Sequence, residues 1–285
     1  MAAIILDGRE LAKRLQTRLA GEVSELKAKG IVPRIASIQV TGDDASSFYT
    51  RNQAKLAEKL GIAYNLIELP NSITSDQLAQ TITSLNNDRS VTGIMLQVPL
   101  PKHLDENRFQ HQIAPQKDIE GVHPENIGAM AGGGDELVPC TARAAIELLL
   151  SSNIPIKGKH AVVLGRSRIV GKPAALMLLN RDATVTVCHS RTPDIGRHCR
   201  EADILIAAVG GKPNLVTADM VKPGATVIDV ATIAQPDGSI TGDVDFKAVS
   251  EVAGAITPVP GGVGPVTVTI LMRNAIIAGR ENSSR

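Results

Sequence analysis

Aromatic side chains are nearly missing from these 285 residues: there is no Trp, and Phe and Tyr together make up 2% of the chain. Proteins that grip single strands of nucleic acid stack bases on such rings, and duplex binders carry a basic stripe. Here the net charge is only +1, so no nucleic-acid partner is expected. No apolar run approaches the roughly 20 residues that cross a bilayer, which argues against a membrane partner. The start, MAAIILDGRELAKR, has neither a basic n-region nor a full apolar h-region, so no signal peptide is read there. Cysteine is scarce too. Cys140, Cys188 and Cys199 are odd in number and lack metal-ligand spacing, which points to reduced thiols, no metal and a cytoplasmic protein.

What remains is 43% hydrophobic and alternates β-branched runs with helical periodicity, enough for two α/β domains with cores of their own. Lys159–Pro173, KHAVVLGRSRIVGKP, organises the second half. His160–Leu164 reads as a buried parallel strand, Gly165 ends it, Arg166-Ser167-Arg168 turns, and a helix begins near Gly171 with Pro173 in its first turn. Strand, tight turn and helix aim backbone N–H groups at a phosphate. The glycine spacing departs from G-x-G-x-x-G, so an ordinary βα turn fits equally well. The next strand, Ala183–Cys188, ends in His189-Ser190-Arg191-Thr192 without the acid that binds a ribose 2′-hydroxyl in NAD sites. Ser190, Arg191 and Arg166 favour NADP; a solvated basic loop is the alternative.

In chain order, Asp7 opens a helix through Gly30, and Arg34–Val40 is a strand. A helix from about Ser47 to Leu60, a strand Ala63–Leu69 and a helix capped by Ser75 follow, then a strand Val91–Val98. Residues 102–140 look loop-rich, Thr141 caps a linking helix, and Val266–Ile277 forms the last one. Further strands are read in ADILIAAVG, ATVIDVA and GAITPVP, with a helix around Thr217–Val221. A ligand is expected at the carboxyl ends of the second sheet and in a cleft between domains.

Three stretches carry candidate chemistry. Tyr49 and Gln53 share a helix face about 6 Å apart along the axis, although a solvated polar pair looks the same. Gln97 ends a strand before Pro99-Leu100-Pro101 and offers a neutral donor and acceptor beyond the sheet edge. Thr257–Thr267, TPVPGGVGPVT, fixes an irregular backbone with three prolines and three glycines, open to a flat ligand.

TPVPGGVGPVT, GRSRIVGKP, LQVPLP, PQKDIEGVHPENIG and PCT, in this order, resemble the methylenetetrahydrofolate dehydrogenase/cyclohydrolase family over essentially the whole chain. The resemblance implies a homodimer of two-domain α/β subunits: an N-terminal folate-binding catalytic domain, 1–141, to which the last helix, 272–285, returns, and a Rossmann-like NADP-binding domain, 142–271. It places NADP on Gly165, Arg166 and Ser167 and near Ser190, with Thr232 by the nicotinamide. The substrate is a one-carbon tetrahydrofolate derivative, with Tyr49 against the pterin, Gln97 on the catalytic side chain, and Pro260, Gly261 and Gly264 lining the site.

The departures matter as much. The family pattern Y-x-x-x-K, whose Lys is the acid/base of the cyclohydrolase step, here ends in Gln53. K-D-V-D-G, whose second Asp contacts the pterin, is Lys117-Asp118-Ile119-Glu120-Gly121, and D-x-G-I-N is Asp229-Val230-Ala231-Thr232-Ile233. P-C-T-P is Pro139-Cys140-Thr141-Ala142. Oxidising the methylene bridge needs positioning but no side-chain proton transfer, whereas hydrolysing the methenyl cation needs a proton carrier, a step worth about 10²–10⁴-fold. Gln53 cannot carry one, and Lys55 and Lys59 lie off its helix face. The expectation is an NADP-dependent dehydrogenase with cyclohydrolase activity weak or absent. A fully bifunctional enzyme and a non-catalytic or specialised folate-binding paralogue are the rivals.

Overall fold

The computed structural model describes residues 2–40 and 44–282, with 44–49 as backbone alone. The chain opens with β1 (Ile4–Ile5), a two-residue strand not anticipated above. It leads into α1 (Gly8–Ala28), where the Asp7 carboxylate accepts the Arg9 and Glu10 amides at 2.8 and 3.1 Å. β2 (Arg34–Val40), α2 (Asp44–Leu60), β3 (Ala63–Leu69), α3 (Ser75–Asn87) and β4 (Gly93–Leu96) form successive strand–helix units. The cap of α3 is Thr74 rather than Ser75, and it forms a reciprocal box with Gln77. Within the supposedly loop-rich segment lie α4 (Glu106–Gln112), capped by Asp105 and anchored by a fully buried Phe109, and α5 (Pro124–Ala131). α6 (Cys140–Ser151) starts one residue before Thr141, with Pro139 at its cap position and no side chain bonding there.

β5 (His160–Leu164), α7 (Gly171–Leu179), β6 (Thr184–Cys188), α8 (Ile195–Arg200), β7 (Ile204–Ala207) and β8 (Thr226–Asp229) continue the alternation. Between β7 and β8 the expected helix is a single 3₁₀ turn, Ala218–Met220. A hairpin of β9 (Ile233–Ala234) and β10 (Ile240–Thr241), then α9 (Phe246–Val249), β11 (Ala255–Ile256) and α10 (Val263–Asn282) complete the chain.

Two compact units result, as an α/β chain with two domains requires. One comprises 2–14, Met130–Gly133 and Pro139–Ile270. Its six-stranded sheet has the order β1-β11-β8-β7-β5-β6 with every pair parallel. Val162, Leu164, Leu205, Ala207 and Val227, all essentially inaccessible, form the centre of its core. The central strands β5, β7 and β8 are buried on both faces, which is why they read as nearly continuous apolar runs.

The other unit comprises Leu15–Ala129, Gly134–Val138 and 271–282, around a parallel sheet of order β3-β2-β4. Side chains alternate across β2. Ala36 and Ile38 join Ile94, Leu96, Leu78 and Phe109 in the core, so Ser37 and Gln39 fall on the opposite face. The last helix returns here: Asn274 Nδ2 donates to the Ile119 and Val138 carbonyls, both at 2.9 Å. Among the described residues, no helix is long and apolar enough to cross a membrane.

Candidate functional site

The face of the three-stranded sheet away from the apolar core carries an uncharged polar cluster. Ile38 pairs with Leu96, so Gln97 emerges at the carboxyl end of β4 beside β2, its amide donating to the Ile38 carbonyl at 2.8 Å. α2 covers this face with the stripe Thr50, Gln53, Ala57 and Leu60, all buried, at helical spacing. Gln97 Nε2 donates to Ser37 Oγ and to Gln53 Oε1, both at 2.9 Å. The Tyr64 hydroxyl, from β3, donates to the same Gln53 oxygen at 3.1 Å. Gln53 is 6% exposed and Gln97 8%. Burial raises the Tyr64 phenol above its ordinary value, so it stays a donor. Lys55 is exposed, and Lys59 reaches out to Gln16 at 3.1 Å. Neither lysine joins the cluster. No group in the cluster exchanges a proton near neutral pH.

A carboxylate loop lies alongside. Ile94 and Asp118 form a parallel bridge, a register that sets Glu120 beside Leu96, the residue before Gln97. Asp118 is 1% exposed and accepts the Gly121 and His123 amides at 3.1 and 2.7 Å and Asn126 Nδ2 at 3.0 Å, which fixes the loop. Burial nevertheless pushes its carboxyl above the usual range. Glu120 is half-buried by area, yet its carboxyl is pushed up to about 8, by burial first and by the nearby Asp118 second. Lys117 is buried for a structural purpose: its ammonium donates to the Leu85 and Asp88 carbonyls at 3.0 and 2.7 Å, closing the end of α3.

In the six-stranded sheet the chain runs outward from β5 to β6, then crosses back to place β7 on the other side of β5. A crevice opens at such a reversal, beyond the carboxyl ends of the strands. Here it is a groove of about 240 Å³, with Leu164, Cys188 and Ala208 marking the three strand ends. Gly165 has φ +111°, and a side chain on it would run into the Ala208 carbonyl; a side chain on Gly171 would strike the Gly165 carbonyl. Both glycines are therefore dictated by close backbone approach. Ser167 Oγ accepts the Val170 and Gly171 amides at 3.2 and 3.3 Å, so it, rather than a ligand, holds the first amides of α7. Positive charge comes instead from Arg166 and Lys212 on the groove wall.

Of the residues named from sequence, Gly165, Arg166, Ser167 and Ser190 line this groove together. Arg191 is exposed beyond it, its amide donating to His189 Nδ1 at 3.1 Å, and Thr232 is exposed on the segment after β8, off the lining. Gln53 and Gln97 meet directly. The Tyr49 side chain lies outside the described residues. Pro260, Gly261 and Gly264 belong to the six-stranded unit, where the Val259–Pro260 peptide is cis and Gly261 accepts the Gly8 amide at 2.9 Å. Sequence reasoning passed over Ser37, Tyr64, His189 and Lys212. Only Lys212 left a signal, in the Gly-Lys-Pro that follows β7.

A parallel sheet with a ligand groove at its strand reversal, joined to a second parallel α/β unit, defines a two-domain nucleotide-binding architecture. The chain belongs to the tetrahydrofolate dehydrogenase/cyclohydrolase family. The family's catalytic domain matches residues 6–120 and its NAD(P)-binding domain residues 139–283. The bifunctional protein FolD of Chloroflexus aurantiacus is 51% identical over 281 residues, 98% of each chain. The crystal structure of the bifunctional FolD of Campylobacter jejuni superposes with a TM-score of 0.96 at 41% identity, covering 98% of this chain and 99% of that one. The Trypanosoma brucei dehydrogenase-cyclohydrolase, solved with NADP and an inhibitor, gives 0.93 at 39% identity, covering 100% and 99%.

Proposed function

We propose that the protein is an NADP-dependent methylenetetrahydrofolate dehydrogenase, in which hydrolysis of the methenyl product is weak. The observation that carries this reading is the Gln53 amide, buried between α2 and the sheet face with its oxygen shared between Gln97 and Tyr64. Family resemblance places a lysine at this position. The fit to the nucleotide rests on the groove: glycines that a side chain would block, and two cations with no facing acid to meet a 2′-phosphate. When bound, the nicotinamide supplies the hydride acceptor.

The chain's own residues then have a positioning task. Gln97 and Gln53 present neutral donors and acceptors to the folate ring system, Asp118 holds the loop that carries Glu120, and no side chain must change protonation. Hydrolysis differs because water attack and ring opening move protons, and the Gln53 amide cannot relay them. A fully bifunctional enzyme is the second reading, favoured by the bifunctional relatives and by Glu120. Pushed up to about 8, that carboxyl is able to exchange a proton at neutral pH. A cytoplasmic homodimer, implied by the family, completes the proposal; the three cysteines are buried and in no disulfide.

The test is initial-rate NADPH formation from methylenetetrahydrofolate, with NAD⁺ in parallel. NADP⁺ should be reduced and preferred, and binding of both substrates without turnover would refute the reading.

A further inference from the structure

The segment 209–214, between β7 and the residues leading to β8, carries Lys212 over the nucleotide groove and is exposed throughout. Gly210, Gly211 and Asn214 all have positive φ, at 65°, 110° and 55°. An exposed stretch with so many left-handed residues has little burial or intrinsic preference to hold it in one shape. Two neighbouring residues do so. At its start, Asp243 Oδ2 accepts the Val209 amide at 2.7 Å, and both of its oxygens accept the Gly210 amide at 3.1 Å. At its end, the Asn214 amide donates to the Gly242 carbonyl at 3.4 Å.

Asp243 is itself held. It is wholly buried, and a second buried carboxylate, Asp229 at the end of β8, accepts the Asp243 and Val244 amides at 3.2 and 2.9 Å. Asp229 also accepts the Ala231 amide at 3.1 Å, while its own amide donates to Thr257 Oγ1 at 2.7 Å. Two buried carboxylates committed to backbone amides are a costly way to shape a loop. The cost makes sense where the loop's shape is used.

We propose that Asp243 is a positioning residue for the nucleotide, fixing the Val209–Gly210 backbone between the groove-lining Val209 and Lys212 and so aiming Lys212, with Asp229 holding Asp243 in place. The inference rests on the reading of the groove as the NADP site. Asp243 does not itself line the groove. Its loss should weaken nucleotide binding and leave the hydride step and the folate side alone.

The experiment compares Asp243→Asn with the unaltered enzyme. The Asn keeps the volume but turns an NH₂ toward the two amides. The KM for NADP⁺ should rise about tenfold, the scale of one lost charge-assisted hydrogen bond, with kcat and the folate KM within about twofold. A folded variant whose KM for NADP⁺ is unchanged, or whose two KM values rise together, overturns the proposal. Should the variant not fold, residue-resolved amide hydrogen exchange on the unaltered enzyme decides. Saturating NADP⁺ should slow exchange at both Gly165–Ser167 and Val209–Gly210. Protection at Gly165–Ser167 without Val209–Gly210 removes the role of Asp243, and protection at neither removes the nucleotide reading of the groove itself.

Discussion

In the proposed reading, Gln53 is where a single side chain separates two reactions. Its amide oxygen takes hydrogen bonds from Gln97 and Tyr64, so the position is built to be neutral and fixed. Gln53→Lys should raise methenyltetrahydrofolate hydrolysis by up to about 10²–10⁴-fold, the usual range of acid/base assistance, while dehydrogenase turnover changes little. Hydrolysis rates of the two proteins measured side by side check this. Glu120 makes a second prediction, through stability. Its folded carboxyl is pushed from 4.5 up to about 8, with Asp118 and Glu106 as acidic neighbours. The folded state therefore keeps a proton that the unfolded chain gives up. The resulting stabilisation is complete below about pH 4.5 and is lost as pH rises through about 8. Urea unfolding at pH 6 and pH 9 should show lower stability at the higher pH from this group, and Glu120→Gln should shrink the difference.

At the level of elements, α3 offers the cleanest test because its start depends on one box. Thr74→Ala removes the hydroxyl that accepts the Gln77 amide and should cost about 1 kcal/mol in urea unfolding, with the NADP⁺ KM unaltered. The choice between Thr74 and Ser75 was hidden in the sequence, since either can cap. β2, β3 and β5 were legible to the residue. β5 is a nearly continuous apolar run, as a buried parallel strand must be. β2 and the partly exposed β3 carry polar residues and were bounded by the Gly, Pro and polar turn residues on either side. β1 was not: two residues carry no period, and only pairing with β11 makes them a strand. α4 was missed because its seven residues derive their order from burying Phe109. The site divides in the same way. Gln53 and Gln97 could be singled out from their place at a helix face and a strand end. Tyr64 and Ser37 join them only through strand pairing, a long-range fact.

For the molecule as a whole, the family fold and the nucleotide groove support hydride transfer, and in the proposed reading the polar cluster of the three-stranded unit determines what happens to its product. Methylenetetrahydrofolate and NADP⁺ are mixed with purified enzyme, and NADPH, methenyltetrahydrofolate and formyltetrahydrofolate are followed together from the first turnovers. If Gln53 leaves the site without a proton relay, the methenyl form builds up in step with NADPH while the formyl form appears no faster than in enzyme-free buffer. Formyltetrahydrofolate keeping pace with NADPH, with no methenyl build-up, would contradict it.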